Sequence, residues 1–365
     1  MTVSLKERMI EYYERNETKV DLGFFLGGFV FDILTLSTID DPLAIAQQLV
    51  YLGVIGSFLY FDFLHKCEKW IPTGRMVGIW NYRSLIIHFL LGSLLSVYSL
   101  FFLKSSSMFS SIIFVVVLLG LMIANELKSV QKSDVSLKMG LFVICLFSFF
   151  SLIVPVILGF VGWTPFIVSL LCTAGVLVFL FRRLQRTVSD SPKLMRFLIA
   201  PGAGVLVLFL VFYIFGWIPP VPISITKMGV YHNLQVENGV YRLSYDRPWW
   251  KFWQSGAQDF QAQPGDKIVF FVQIFSPRRF DDQVVLNWNL YHPKRGWLSS
   301  DRIPIRIVGG RQQGFRGYTV KQNYQPGKWR VLVETTHGHE IGRMYFEVEK
   351  VEPSTEPREW REDLM

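Results

Sequence analysis

Two aspartates, Asp32 and Asp62, stand in neighbouring apolar stretches of this 365-residue chain. A carboxylate in hydrocarbon is costly, by about 2.5–3.5 kcal/mol even on insertion scales. Two carboxylates sharing a proton must nearly touch. Asp32 falls roughly 18 Å from the inner face at 1.5 Å per residue, whereas Asp62 falls at the inner end of the returning helix. An aspartyl pair is therefore not expected, and no G-x-G-D motif accompanies them. Asp32 alone is either a proton-relay or substrate site or a carboxyl hydrogen-bonded within the bundle. His88 is the other ionisable candidate well inside a span. His337 and His339 form an H-x-H pair around Gly338, but zinc needs a third or fourth ligand, so an exposed hairpin tip is expected and no metal. There is no H-E-x-x-H, G-x-S-x-G, P-loop or dinucleotide fingerprint, and hence no expected catalytic residue or cofactor. The most unusual soluble stretch is Arg247-Pro248-Trp249-Trp250-Lys251-Phe252-Trp253. Trp249, Trp250, Phe252 and Trp253 suit a membrane interface or a sugar face. Arg278, Arg279 and Arg316 are further ligand candidates, set against a reading as solvated charges.

The elements that position these residues are of two kinds. The chain is 51% hydrophobic and 18% charged, against roughly 25% charged in an average soluble domain. Nearly all long apolar runs lie in 1–221, and 222–365 reads as soluble. Hydrocarbon takes about 20 apolar residues to cross. That predicts a transmembrane domain over 21–217, with seven helices at 21–37, 43–64, 83–103, 108–126, 138–159, 163–181 and 196–217. Pro155, Pro201, Gly202 and Gly204 should kink or loosen their helices. Sixteen Lys and Arg fall in the segments on the N-terminal side of the membrane, against Lys104 alone in the short opposite loops. The positive-inside rule then puts the N-terminal segment 1–20 in the cytoplasm and everything after the seventh span outside it. The N-terminus lacks the apolar core of a signal peptide. The net charge of +8 is explained by loops rather than by a basic stripe, so nucleic acid is not an expected partner.

From 222 the apolar period becomes two. Runs at 268–274, 284–290, 302–308, 329–335 and 344–348 read as strands, and Asn238-Gly239, Pro264-Gly265 and Pro326-Gly327 as turns. The expected fold class is an α-helical membrane bundle plus an all-β, immunoglobulin-like sandwich over 222–349. The charged, Pro-containing tail 350–365 is expected to be disordered. A strand at 228–236 should run outward and return along 240–247. That would set the loop 248–253 on the membrane-proximal end, with Arg247 and Lys251 on lipid phosphates, or else tucked into the core.

The stretch 300–348 carries Gly314-Phe315-Arg316 leading to Tyr318-Thr319, then Lys321, then Pro326-Gly327-Lys328-Trp329-Arg330-Val331, then Ile341-Gly342-Arg343 before Phe346. It resembles the C-terminal module of the bacterial family catalogued as domain of unknown function 2914. The run at 28–41 looks like the first span of its membrane-bound members. The resemblance implies an envelope membrane protein and supplies no catalytic residues. By the residues themselves, Trp329, Val331 and Val333 share one strand face, and Arg316 and Arg330 are exposed or paired with Glu334 or Glu340.

The expected function is a non-enzymatic protein of the bacterial inner membrane. Its periplasmic or extracytoplasmic β-domain would bind an anionic or glycan envelope component, or another membrane protein, alongside the lipid bilayer. The alternatives are a small transporter or proton-coupled channel using Asp32, and then a membrane enzyme.

Overall fold

Asp41 and Pro42 begin the first described helix for plain chemical reasons. The Asp41 carboxylate accepts the Leu43 N–H at 3.1 Å, and Pro42 fills a position that needs no donor. The structure is a computed structural model and describes residues 39–106, 111–125, 135–188, 191–278, 280–309, 314–352 and 358–365. They form two compact units; the second collects Pro219–Met365 with two short pieces, Lys104–Ser111 and Pro155–Gly162.

The first unit is helical. Its elements are α1 (Pro42–Lys66), α2 (Met76–Asn81), α3 (Arg83–Lys104), α4 (Ile112–Asn125), α5 (Val135–Leu158) and α6 (Trp163–Gln185). Then α7 (Ser191–Leu194) runs through a π-turn, Met195–Ile199, into α8 (Ala200–Ile214). The π-turn sits where Pro201 withholds an N–H and crowds the carbonyl of Phe197, so the ladder widens by one residue. Pro155 lies inside α5.

Among the described residues, five helices are long and apolar enough to cross a membrane: Pro42–Lys66, Arg83–Lys104, Val135–Leu158, Trp163–Gln185 and Pro192–Ile214. Leu43, Phe89, Ile157, Phe179 and Ile214 on them are exposed, as side chains facing hydrocarbon are. Among the described residues the expected count of seven is not reached. The span at 108–126 appears as the 14-residue helix α4, about 21 Å long at 1.5 Å per residue. The span at 21–37, with Asp32, lies outside the described residues.

The second unit holds eleven described strands. They are β1 (Ser224–Tyr231), β2 (Asn233–Glu237), β3 (Val240–Tyr245), β4 (Asp259–Ala262), β5 (Ile268–Phe275), β6 (Asp281–His292), β7 (Gly296–Val308), β8 (Phe315–Lys321), β9 (Gly327–Thr335), β10 (Glu340–Lys350) and β11 (Arg361–Leu364). One sheet orders them β1-β5-β8, a second β4-β10-β9-β6-β7 and a third β11-β3-β2. All pairings are antiparallel except β4 with β10. The near-continuous apolar run of β5 is buried along almost its whole length, between β1 and β8. Trp288, Phe270, Trp329, Val331, Val333 and Phe346 belong to one core cluster with it.

Two expectations are corrected here. The strand at 228–236 is two strands in different sheets. The break falls at His232, whose N–H turns to the Ser244 carbonyl at 2.9 Å. The Asn238-Gly239 turn does form, with φ of 51° and 80°, the left-handed pair a two-residue hairpin requires. The tail is not disordered where it is described. Strand β11 pairs with β3, Arg361 opposite Tyr245 and Leu364 opposite Arg242. The Tyr231 hydroxyl donates to Asp363 at 2.9 Å, Lys227 lies 3.3 Å from the same carboxylate, and Met365 exchanges backbone hydrogen bonds with Tyr241. A charged sequence still orders when it completes an open sheet edge and finds buried partners.

Deleting residues 358–365 should therefore speed amide exchange across Val240–Tyr245 by at least about tenfold, the equivalent of one or two lost hydrogen bonds. Hydrogen–deuterium exchange of the full and shortened chains measures this; unchanged protection would mean that β11 does not hold β3.

Candidate functional site

After β3 the chain leaves the sheet and returns at Gly256, which bridges Val230 in parallel with a φ of 70°. Ala257 donates its N–H to the Val230 carbonyl at 2.7 Å. A methyl group on Gly256 would lie 2.0 Å from that oxygen, so only glycine permits this closure. The loop between is tied down by its own cations. The Arg247 guanidinium lies 4.8 Å from the Tyr245 ring centre and donates to the Gln254 carbonyl. Lys251 Nζ reaches Asp259 at 2.5 Å, and Gln254 donates to the same carboxylate at 3.0 Å. The Lys251 hydrogen bond, then that from Gln254, hold the Asp259 carboxyl below the usual range.

With the cations turned inward, the rings stay outside. Trp249 is 76% exposed, Trp250 50%, Phe252 81% and Trp253 63%, which excludes the core-filling alternative. Phe252 and Trp253 meet edge to face at 5.3 Å. Trp249 and Trp250 instead border an open cleft of about 570 Å³ with Asp246, Gln261, Gln263, Glu352, Arg358 and Glu359. A second cleft of about 580 Å³ shares Gln263, Val351 and Glu352, and continues past Asp266, Lys267 and Tyr324. The two clefts adjoin along these shared residues, and the pair makes up the groove.

The register fixes where this groove lies. Ser224, where β1 begins, pairs with Phe275, whereas Tyr231, where it ends, pairs with Val269. The turn from Ala262 to Ile268, the end of β10 and the return at Gly256 all gather at the Tyr231 end. That is about 23 Å along the strand from the point where the chain enters the domain. The expectation that the loop sits at the entry end fails because the outward strand is 224–231, not 228–236.

Asp266 organises the groove floor. Its carboxylate accepts from the Gln263 N–H at 2.9 Å and from Arg358 at 2.8 Å, and its carbonyl accepts from the Tyr324 hydroxyl at 2.9 Å. Beside it His232 is buried, its ring stacked 3.9 Å from Phe260, edge-on to Trp360 at 5.3 Å and 3.8 Å from Asp266. Neither ring nitrogen is hydrogen-bonded to the protein. Burial first, and then the Arg358 charge, push its pKa down to about 4 against a smaller opposing pull from Asp266.

Residues 281–348 match the family described as "Protein of unknown function (DUF2914)". No curated protein matches the chain. Among solved structures, an immunoglobulin-like protein from Pseudomonas aeruginosa is 12% identical and covers 32% of this chain and 97% of its own, with a TM-score of 0.20. A β-glucosidase from Kluyveromyces marxianus is 13% identical over 35% of this chain, which spans 15% of the enzyme, at a TM-score of 0.18. The alkylpurine DNA glycosylase AlkC of Pseudomonas fluorescens is 10% identical, over 86% of this chain and 99% of its own, at 0.19. Likenesses this weak carry no argument. The stretch that matches this family supplies β6 to β9 and most of β10. Of the groove it supplies Gln322 and Tyr324; the other lining residues come from the segments that flank it.

The remaining candidates do not join the groove. Arg316, on β8, donates to the Gly239 carbonyl at 3.1 Å and lies 5.7 Å from the Tyr241 ring centre. Arg278 follows β5 at the Ser224 end, and Arg279 lies outside the described residues. Arg330 stacks 4.6 Å over Trp297. Glu334 faces Arg302 at 3.6 Å, with the Arg330 charge also acting on its carboxylate, and Glu340 binds Arg343. His337 is exposed at the tip of the β9–β10 turn. Among the described residues no three His, Cys, Asp or Glu side chains converge as metal ligands.

In the helical unit, Arg83 Nε donates to Asp62 at 2.8 Å, and its guanidinium lies 4.7 Å from the Trp80 ring centre. His88 Nδ1 meets Asn125 Oδ1 at 3.0 Å, and Asn125 donates to the His88 carbonyl at 3.0 Å. Lys138 donates to Ser84 at 2.9 Å. Sequence reasoning missed Asn125 and Lys138 as partners. It also missed the groove wall from Arg358 and Glu359, for which Trp360 in a polar tail was the available signal.

On unfolding, His232 regains its ordinary pKa near 6.5, so the unfolded chain takes up a proton that the folded chain refuses. Stability should be full above about pH 6.5 and fall towards pH 4, by up to roughly 3 kcal/mol. Unfolding midpoints of the β-domain followed by tryptophan fluorescence should show that fall, and His232→Gln should reduce it.

Proposed function

We propose that this chain is a non-enzymatic, multi-pass protein of the bacterial inner membrane. Its β-domain, an immunoglobulin-like sandwich outside the cytoplasm, binds an envelope component through the groove fronted by Trp249 and Trp250. Seven spans, the five long helices with 21–37 and the stretch around Ile112–Asn125, leave the N-terminus in the cytoplasm. The bias of sixteen cationic residues to one supports that orientation. The observation that carries the binding reading is the exposure of the loop's tryptophans beside a polar groove, while the loop's cations are spent on its own scaffold. Rings that add nothing to the core and lie beside convergent polar groups mark a recognition surface. Their cost in solubility is explained by a partner that covers them.

Two measurements check this. A reporter active only in the cytoplasm should work when fused after Val188 and fail after Asp246; activity at both points would remove the topology. A photoreactive amino acid at position 249 should give, in intact cells, an adduct that Trp250→Ala abolishes and that the same probe at position 318 does not give. Identical adducts from both positions would remove the groove as the binding site.

A further inference from the structure

We propose that the ligand of this groove is a glycan chain, a reading that rests on the binding-module function above. A pyranose ring has a flat face of C–H bonds and an edge of hydroxyls. Trp249 and Trp250 supply exposed aromatic faces for the first. The amides of Gln261 and Gln263 and the carboxylates of Asp246, Glu352 and Glu359 line the same cleft. Together they offer both donors and acceptors to hydroxyls. The volume of about 570 Å³ falls in the range of roughly 300–1,000 Å³ usual for ligand clefts.

Shape argues for a chain rather than a single sugar. The adjoining cleft of about 580 Å³ meets the first along Gln263, Val351 and Glu352 and carries a further aromatic, Tyr324. An open groove with aromatic side chains in both halves suits successive rings of an oligosaccharide.

Other ligand chemistries fit less well. A lipid headgroup or another phosphate needs an excess of cations, but Arg247 binds the Gln254 carbonyl, Lys251 binds Asp259 and Arg358 binds Asp266, and the other cations lining the clefts, Arg361, Lys267 and Lys350, are matched by the carboxylates of Asp246, Glu352 and Glu359. An extended peptide would add to a sheet edge by main-chain pairing. Two edge strands border the cleft, β4 through Gln261 and β11 through Arg361; Arg358 already donates to the Gln261 carbonyl at 2.9 Å, and β11 is only four residues long.

The test uses the full chain in lipid nanodiscs with a labelled scaffold protein, applied to an array of bacterial polysaccharides and oligosaccharides. The wild type should be retained on at least one glycan. Trp249→Ala/Trp250→Ala should lower that retention by at least about tenfold, the loss expected when stacking rings are removed. Phe252→Ala, equally exposed but outside the cleft, should change it less than about twofold. Thermal unfolding midpoints of the variants, equal to wild type, separate loss of the site from loss of the fold. No retention on any glycan, or retention that the tryptophan pair leaves unchanged, would overturn the glycan proposal. If it is overturned while the adduct from position 249 still depends on Trp250, the partner is a protein and the binding-module reading stands. If that adduct is independent of Trp250 as well, both readings fall.

Discussion

Asp266 sits in the turn between β4 and β5, and its carboxylate joins three stretches of chain that are far apart in sequence. It caps its own turn through the Gln263 N–H, receives Arg358 from the tail and lies 3.8 Å from His232, where the strand changes sheets. Arg358 and Asp266 are mostly buried, with side-chain exposures of 12% and 23%, so solvent screens the pair little compared with a surface bridge. Removing either partner would leave a charge in a place built for two. The groove depends on this pair, because Arg358 forms one wall and the 263–267 turn another. His232 stays neutral in the same place because it is buried beside the guanidinium.

Much of the architecture was legible from local pattern. The apolar runs of β5, β6, β9 and β10 alternate or continue as their burial requires, and each forms within a few residues of its expected place. Asn238-Gly239 specifies its own turn through backbone conformation. The break at His232 was not legible, because Val230, Tyr231, Leu234 and Val236 continue an alternating pattern across it. What divides β1 from β2 is pairing with β5 on one side and β3 on the other, and pairing is not a local property. The tail failed for the same reason. Its composition reads as solvated, and only the open edge of β3 gives it somewhere to go.

The site was half legible. Clustered tryptophans beside cations announced a surface, but the cations were assigned to an outside partner when the fold uses them itself. Arg247 and Lys251 find Gln254 and Asp259 within eight residues, a separation that a single loop can close on itself. The helices show the reverse. Asp62 and His88 looked isolated along the chain, yet Arg83 and Asn125 answer them from 21 and 37 residues away. A polar side chain in a bundle finds its partner across helices, and a linear reading cannot rank those choices.

Tyr231 meets Asp363 across 132 residues, and Arg358 meets Asp266 across 92. Both contacts use a part of the chain that leaves the ribosome after every other strand described. Strand β3, made early, therefore keeps an open edge until β11 is available to pair with it. The sheets can pair first, but the groove acquires its wall only when residues 358–363 arrive. The cleft is thus completed late, and a chain interrupted shortly before Arg358 would carry most of the described strands with one wall of the groove missing. Its exposed aromatics and bare β3 edge would then be the features by which a quality-control protease or chaperone could tell it from the finished protein.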